Sequence, residues 1–226
     1  MNAPTASVAT EGYLAAIYEM SSEGVPTIGA RLAEWLGLTP PTVNGMVRRL
    51  ARAGLVTLNG RKEVLLTEEG ERLASAIVRR HRLAERFLVD VLQLDWHQAH
   101  HEAGRWEHAI SAEVEERMAT FMDRPTTCPH GNPIPGAGYV APADVLSLRQ
   151  ASEGQRVVVE RVFEEIELNH DLLEFLDRSG IKPGAHIIVT QVAPFLGTVT
   201  VLSGEEKVSL GLRVAEKIWV RPAPSP

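Results

Sequence analysis

Several features of secreted, disulfide-stabilised or membrane proteins are missing from this sequence. The chain of 226 residues contains one cysteine, Cys128, which cannot form a disulfide within the chain. No apolar run approaches the roughly 20 residues that a membrane-spanning helix needs. The N-terminal segment lacks the basic region and apolar core of a signal peptide, and no motif of an organic cofactor is evident. These absences favour a cytoplasmic protein with no membrane partner.

An excess of acidic residues gives the chain a formal net charge of −6, which by itself argues against a nucleic-acid partner. The distribution of the charge argues otherwise. Between residues 31 and 62 one residue is acidic, Glu34, whereas six are basic. The basic residues are Arg31, Arg48, Arg49, Arg52, Arg61 and Lys62. An acidic protein with one basic module can still bind DNA through that module.

The pattern of the first 70 residues predicts a winged helix-turn-helix. Apolar residues at helical spacing from Tyr13 to Tyr18 predict an opening helix. A short helix then ends at Gly37, and the next begins with Thr39 as N-cap and Pro40 at the first helical position. Gly54 is suited to the C-terminal stop of this second helix. Two helices joined by a short turn make a helix-turn-helix.

The segments "LVTL" and "EVLLT" flank the dipeptide Asn59-Gly60. This dipeptide is favoured in a tight hairpin turn, so we expect a β-hairpin wing after the helices. The alternative is a helical hairpin with a solvated basic face. The order helix, turn, helix, hairpin is more specific than any one of its parts, and it favours the winged helix.

The remainder of the chain predicts one helical and one β-rich segment. Residues 71–125 have broad apolar coverage at helical spacing, including a helix from His100 to about Met122, and such a surface suggests a two-fold dimer. The segment 124–142 is rich in Pro and Gly, and short strands follow from about residue 155. The predicted fold is mainly α with small β: a winged helix-turn-helix over 1–70, a helical domain with the Pro-rich segment over 71–142, and an SH3-like barrel over 150–226.

Five of the eight histidines lie between Arg79 and His108, in "RRHRLAERFLVDVLQLDWHQAHHEAGRWEH". His81 and Glu85 are one helical turn apart, and His100 and Glu107 are two turns apart. Imidazole and carboxylate are ligands for Mn²⁺, Fe²⁺, Co²⁺, Ni²⁺ and Zn²⁺. The alternative is an ion pair between His81 and Glu85 with exposed histidines beside it. The clustering of histidines in the later helix favours a metal site.

The motifs "RHRLAERFL", "HHEAGRWEH" and "GNPIPG", after "TPPTV" in a winged helix, carry a resemblance to a known family. The chain resembles the diphtheria toxin repressor and iron-dependent regulator family over almost its whole length. This resemblance implies a homodimeric repressor that is activated by Fe²⁺ or Mn²⁺, binds palindromic operator DNA and controls genes of metal uptake. It also implies a C-terminal domain that is SH3-like and FeoA-like.

The resemblance further implies roles for individual residues. The ancillary metal site would use His81, Glu85 and His100, with Glu167 and His170 as candidate ligands from the C-terminal domain. The primary, regulatory site would use Glu107 and His108. An anion would lie beside Arg82, Asn132 and Cys128. Two positions that carry primary-site ligands in the family are Gly12 and Gly104 here, so we expect a weakened primary site.

The DNA-binding set follows from the basic module and from the way the family docks on DNA. The exposed first part of the recognition helix would enter the major groove, and the arginines near its end would contact phosphates. The full set is Arg31, Thr39, Pro41, Thr42, Asn44, Gly45, Arg49, Arg52 and Lys62. Two rival functions are a metalloenzyme that uses the His/Glu cluster and a metal-independent DNA-binding regulator. No recognisable nucleophile or general acid supports an enzyme.

Overall fold

The computed structural model describes residues 7–224, which fall into two compact units. The first unit comprises the chain up to His81 together with Trp106–Ile110. The second comprises Arg82–Arg105 and the chain from Ser111 onward. Within residues 7–224 we find no helix with the length and apolar character needed to cross a membrane.

The first unit contains the predicted winged helix-turn-helix. Its elements are α1 (Val8–Ser22), α2 (Gly29–Trp35), α3 (Pro40–Arg52), β1 (Val56–Leu58), β2 (Val64–Leu66) and the first part of α4 (Glu68–Arg86). Fully buried aliphatic side chains from α1, α2 and α3 form its core, among them Leu14, Leu32 and Leu50. Gly37 and Gly54 follow α2 and α3 with positive φ angles of 63° and 72°, as the predicted helix stops require.

The wing is the predicted hairpin, and its connection is longer than the Asn59-Gly60 dipeptide. β1 and β2 pair antiparallel with Leu58 opposite Val64, so the connection runs from Asn59 to Glu63. The side-chain oxygen of Asn59 accepts hydrogen bonds from the backbone N–H groups of Arg61 and Glu63, at 2.9 and 3.0 Å. The positive φ angle falls on Lys62 (62°) and not on Gly60. The Asn59 side chain therefore stabilises a wider loop, because it replaces a backbone acceptor.

The second unit begins with helices. α4 continues to Arg86 and runs into a π-helical turn over Phe87–Val91, followed by α5 (Trp96–Trp106) and α6 (Ala112–Phe121). The single helix predicted from His100 to about Met122 is wrong. The chain breaks after Trp106, and Ser111 starts α6 by accepting a hydrogen bond from the Val114 N–H at 3.3 Å. Val114 of α6 is 47 % exposed.

A β-rich domain completes the second unit. Its strands are β3 (Leu146–Ser147), β4 (Arg156–Val162), β5 (His186–Ala193), β6 (Thr198–Ser203), β7 (Glu206–Gly211) and β8 (Ile218–Pro222). They form one antiparallel sheet with the strand order β3-β8-β4-β5-β6-β7. The helices α7 (Glu164–Glu167), α8 (His170–Arg178) and α9 (Leu212–Ala215) lie between them in sequence. α7 and α9 have four residues each, which is too short for a periodic signal in the sequence.

Candidate metal centre and nucleic-acid interface

Three segments of the second unit carry polar side chains into its interior. α4 supplies Arg82 and Glu85, which are 4 % and 0 % exposed. The short helix α7 supplies Glu164 and Glu167, which are 1 % and 3 % exposed. These two carboxylates are three residues apart, so they project from the same side of the helix. Carboxylates this deeply buried require compensating charge or hydrogen bonds.

The third segment is the turn from Cys128 to Asn132 in the Pro-rich stretch. The Cys128 N–H donates to the Asn132 carbonyl at 2.9 Å, and the Gly131 N–H donates to the Cys128 carbonyl at 3.0 Å. Gly131 has a φ angle of 88°, and a Cβ there would lie 2.2 Å from the Glu160 carbonyl oxygen. A residue with a side chain therefore cannot replace this glycine without a shift of the backbone. The turn holds His130 and Asn132, both 0 % exposed, on either side of Gly131.

These segments and α5 form a cluster of five residues, here called the buried cluster, in which His100 is half-buried and the others are buried: Glu85, His100, His130, Glu164 and Glu167. The Nδ1 atom of His100 lies 3.1 Å from Glu85 Oε1 and 3.0 Å from Glu167 Oε2. The Nδ1 atom of His130 lies 3.4 Å from Glu85 Oε1 and 3.2 Å from Glu167 Oε2. Two imidazoles thus face the same two carboxylates. Nitrogen and oxygen donors in this mixture are typical ligands of divalent transition metals.

The electrostatics of the buried cluster favour added positive charge. Burial, followed by the charge of Glu164, raises the pKa of Glu167 to about 7. Burial, the largest single influence, lowers the pKa of His130. The Glu167 and Glu85 carboxylates together raise it by more, so the pKa of His130 is raised overall. The three carboxylates and the Arg82 guanidinium give this set two excess negative charges when both imidazoles are neutral. Protons or one divalent cation would neutralise them.

Arg82 and Asn132, which were expected to hold a free anion, each donate to a carboxylate of the chain itself. An Nη atom of Arg82 lies 3.0 Å from Glu164 Oε2, and Asn132 Nδ2 donates to Glu167 Oε1 at 2.5 Å. Cys128 lies beside them, with its Sγ 3.9 Å from His130 Nδ1. Burial raises the pKa of the Cys128 thiol well above its usual range, and Glu85 adds to the effect. A free anion at this place stays a prediction.

The first unit gathers a second set of ligand-type residues. His108 Nδ1 lies 2.6 Å from Glu11 Oε2, and His108 Nε2 lies 3.3 Å from Glu107 Oε1. The other oxygen of Glu107 lies 2.5 Å from His81 Nδ1. A Cβ on Gly12 or on Gly104 would meet no atom within 4 Å. Each of the two glycines therefore leaves open space where the family resemblance expects a side-chain ligand. The predicted ligands Glu107 and His108 contact His81 and Glu11, respectively.

Sequence reasoning found some of these residues and missed others. Glu85, His100 and Glu167 lie together in the buried cluster. His170 packs against His97, with the ring centroids 5.4 Å apart, and lines the same cavity as His100 and Glu167. The missed residues are Glu11, His130 and Glu164. The spacing Glu164-x-x-Glu167 could have indicated the carboxylate pair, because it matches one helical turn. For Glu11 and His130 the only signal in the sequence is their position. Glu11 directly precedes Gly12, and His130 directly precedes the motif "GNPIPG".

The residues predicted to bind DNA lie on the surface of the first unit. All nine of them are exposed. Thr39 precedes α3 as its N-cap, and its hydroxyl contacts that of Thr42 at 2.9 Å and not a backbone N–H. Within residues 7–224 we find no ion pair that involves Arg31, Arg49, Arg52 or Lys62. Exposed basic side chains that form no ion pair within the described residues can contact phosphates without first breaking one.

Three family profiles match consecutive parts of the chain. "Iron dependent repressor, N-terminal DNA binding domain" matches residues 6–64, and "Iron dependent repressor, metal binding and dimerisation domain" matches residues 67–136. "FeoA domain" matches residues 146–222, which confirms the predicted SH3-like, FeoA-like C-terminal domain.

Individual proteins match over most of the chain. The chain is 40 % identical over 221 residues to the iron-dependent repressor IdeR of Mycobacterium tuberculosis, over 93 % of this chain and 96 % of that protein. It is 38 % identical over 186 residues to the diphtheria toxin repressor of Corynebacterium efficiens, over 79 % and 81 % of the two chains. A solved structure described as a manganese-dependent transcriptional repressor complex with manganese superposes with a TM-score of 0.81 and 32 % identity, over 95 % of this chain and 100 % of that one. The chain therefore belongs to the iron-dependent repressor family of metal-dependent transcriptional repressors.

Proposed function

We propose that this protein is a repressor that binds a palindromic DNA operator as a homodimer when Fe²⁺ or Mn²⁺ is bound. The observation that carries the proposal is the buried cluster, in which carboxylates exceed the positive charge of Arg82 and share two imidazoles. A fold does not keep such a set of groups without cations or protons to balance it. Relatives named as iron-dependent and manganese-dependent repressors support the same choice of metals.

The buried cluster is the better candidate for the principal metal site. His100 Nδ1 lies 3.9 Å from Glu164 Oε1, in addition to its contacts with Glu85 and Glu167. One nitrogen and several carboxylate oxygens suit Mn²⁺ and Fe²⁺. The set of Glu11, Glu107, His108 and His81 is a second candidate, which would supply two carboxylates and two imidazoles. Its residues are joined by direct contacts that a bound ion would have to replace.

DNA binding is proposed for the exposed face of α3 and the residues around it. Thr39, Pro41, Thr42, Asn44 and Gly45 would face the major groove, while Arg31, Arg49, Arg52 and Lys62 would contact phosphates. The groove-facing set contains no residue capable of a bidentate contact to guanine. Specificity would therefore depend partly on contacts with thymine methyl groups and on DNA shape.

The homodimer would use an exposed apolar surface on α6 and the π-helical turn that follows α4. Phe121 and Val114 are 71 % and 47 % exposed, and the Phe121 ring centroid lies 6.4 Å from that of Phe87. These side chains border a cavity of about 560 Å³ that is lined mainly by apolar atoms of α6. Exposed apolar surface of this kind marks an interaction site. A palindromic operator matches the two-fold symmetry of such a dimer.

The test is an anaerobic titration of the chelator-treated full-length protein with Mn²⁺ or Fe²⁺. Metal content and affinity for genomic DNA fragments would be measured on the same samples. We expect some fragments to bind at least tenfold more tightly with metal, and Glu167→Gln to lose most of this gain. Glu153→Gln, at an exposed position outside the cluster, is the matched control. Affinity for every fragment equal to that for random DNA, with and without metal, would refute the proposal.

A further inference from the structure

Two histidines outside the buried cluster lie against each other, one on α5 and one at the start of α8. The imidazole rings of His97 and His170 have their centroids 5.4 Å apart, with an angle of 55° between the ring planes. His97 is half-buried and His170 is exposed. Both residues line a cavity of about 700 Å³. Imidazoles paired at the wall of a cavity are suited to share one divalent ion.

Asp177 determines which ring nitrogen of His97 is available to a cation. His97 Nδ1 lies 3.1 Å from Asp177 Oδ2. Burial raises the pKa of Asp177, but the hydrogen bonds from His97 and Lys182 lower it by more, so the carboxylate is ionised. An ionised carboxylate can only accept, so Nδ1 carries the hydrogen, and in the neutral ring the lone pair is on Nε2. A metal-ligating histidine usually has such a carboxylate as the partner of its other nitrogen.

The spacing of the two rings is close to that of two histidines on one metal ion. Metal–nitrogen bonds of about 2.0–2.1 Å place the centroids of two imidazoles roughly 5 Å apart when the ligands are tetrahedral. The observed separation is 5.4 Å. Within residues 7–224 we find no hydrogen bond that uses Nε2 of His97 or a ring nitrogen of His170. Both rings can therefore turn a lone pair toward a common ion without breaking a hydrogen bond.

The third histidine at this cavity has a different partner. His101 lies one helical turn after His97 on α5 and lines the same cavity. Its Nε2 lies 3.2 Å from an Nη atom of Arg105. A guanidinium can only donate, so this nitrogen accepts and its lone pair is used. Water is therefore the expected source of the remaining ligands of an ion on His97 and His170.

We propose that His97 and His170 form a divalent-metal site at this cavity, separate from the buried cluster, with Asp177 as the residue that positions the His97 ring. The protein ligands are His97 Nε2 and one ring nitrogen of His170. The bound ion joins α5 to the first turn of α8, so it should also stabilise the second unit. The inference concerns metal binding alone and does not depend on DNA binding.

The ligand set predicts which ions this site prefers. Imidazole nitrogen suits Zn²⁺, Ni²⁺ and Cu²⁺, whereas carboxylate, carbonyl and water ligands suit Mn²⁺. Mn²⁺ is also the weakest binder in the usual order of divalent metals. The histidine pair should therefore bind Zn²⁺ and discriminate against Mn²⁺, in contrast to the carboxylate-rich buried cluster.

The experiment is a titration of the chelator-treated, full-length protein with Zn²⁺, followed by calorimetry, with bound zinc counted by equilibrium dialysis. We expect the wild type to bind one more ion per chain than either His97→Gln or His170→Gln. Since His170 is exposed, its replacement should leave the fold intact, and circular dichroism checks this. Asp177→Asn should weaken zinc binding at this site at least about tenfold, as loss of a group that orients a metal-ligating histidine does.

His101→Gln is the matched control, since His101 is an exposed histidine of the same helix and cavity, and it should bind as many zinc ions as the wild type. Equal stoichiometry in the wild type and His170→Gln would overturn the proposal, as would loss of the ion from His101→Gln. Wild-type zinc affinity in Asp177→Asn would overturn the positioning role of Asp177.

Operator binding measured with Mn²⁺ separates this proposal from the repressor function. Metal-dependent operator binding without the additional zinc ion refutes the histidine site alone. The additional zinc ion without such operator binding refutes the repressor function alone.

Discussion

Replacing Arg82 by methionine removes a buried guanidinium from beside the carboxylates of the buried cluster. An Nη atom of Arg82 lies 3.0 Å from Glu164 Oε2, and the two side chains are 4 % and 1 % exposed. Arg82 also donates to the Pro133 carbonyl. Methionine retains much of the apolar stem of the side chain, so the change removes charge and hydrogen bonds more than volume.

The expected loss of stability is large because Glu164 remains buried. Removing one partner of a buried ion pair costs about 3–5 kcal/mol, whereas an exposed pair contributes ~1 kcal/mol or less. A loss of this size would lower the unfolding midpoint of a domain of 150–250 residues by about 6–20 °C. The double variant Arg82→Met, Glu164→Gln should recover most of the loss, because it removes the charge that was left without its partner.

The assay is chemical and thermal unfolding of the full-length, chelator-treated protein, followed by circular dichroism. Arg117→Met is the matched control, since Arg117 and Glu113 form an ion pair whose side chains are 77 % and 74 % exposed. Adding Mn²⁺ should stabilise Arg82→Met more than the wild type, because the ion supplies the missing positive charge. The reasoning is refuted if Arg82→Met and Arg117→Met are equally stable, or if Glu164→Gln does not restore stability to Arg82→Met.

The remaining predictions address titration, assembly, DNA and metal content. In the metal-free protein the raised pKa of Glu167 should make stability fall as pH rises from about 4.5 to about 7, because the folded state keeps a proton that the unfolded state loses; a Glu167→Gln variant with the same slope would contradict this. Phe121→Glu should convert the proposed dimer to monomer in analytical ultracentrifugation at micromolar concentration, and a persisting dimer would place the interface elsewhere. Arg49→Ala should weaken binding to all DNA and reduce the slope of log affinity against log salt by about 1; a loss confined to the operator would make Arg49 a base-reading residue. Gly12→Asp with Gly104→Glu should add a bound ion per chain in calorimetry, since a Cβ at either position meets no atom within 4 Å; unchanged stoichiometry would argue against a vacant ligand position.

Two surface variants serve as controls for these measurements. Phe195→Glu changes a phenylalanine that is 85 % exposed in the β-rich domain, and it should leave the dimer intact. Arg156→Ala removes an exposed arginine outside the winged helix, and it should leave both DNA affinity and its salt dependence unchanged. If these controls behaved like Phe121→Glu and Arg49→Ala, the effects would reflect general surface charge and not the proposed sites.

Local patterns in the sequence determined the elements whose stabilising groups are close in the chain. Helical periodicity predicted α1 and α3, and the glycines at positions 37 and 54 predicted the stops, because a helix end needs a residue that accepts positive φ. The basic residues between 31 and 62 predicted an exposed surface, since buried unpaired arginines are costly. The same local rules failed where a side chain replaced a backbone partner, as Asn59 does in the wing and Ser111 does at the start of α6.

Only the tertiary structure decided the composition of the buried cluster. Its members come from α4, α5, the turn at Cys128–Asn132 and α7, so up to 82 residues of chain separate contacting groups such as Arg82 and Glu164. No periodic pattern encodes such distances. The close approach of Gly131 to the Glu160 carbonyl fixes the turn against β4, and this packing brings His130 to Glu85 and Glu167. The sequence by itself determined that histidines and carboxylates were available as ligands, whereas long-range packing decided which of them meet.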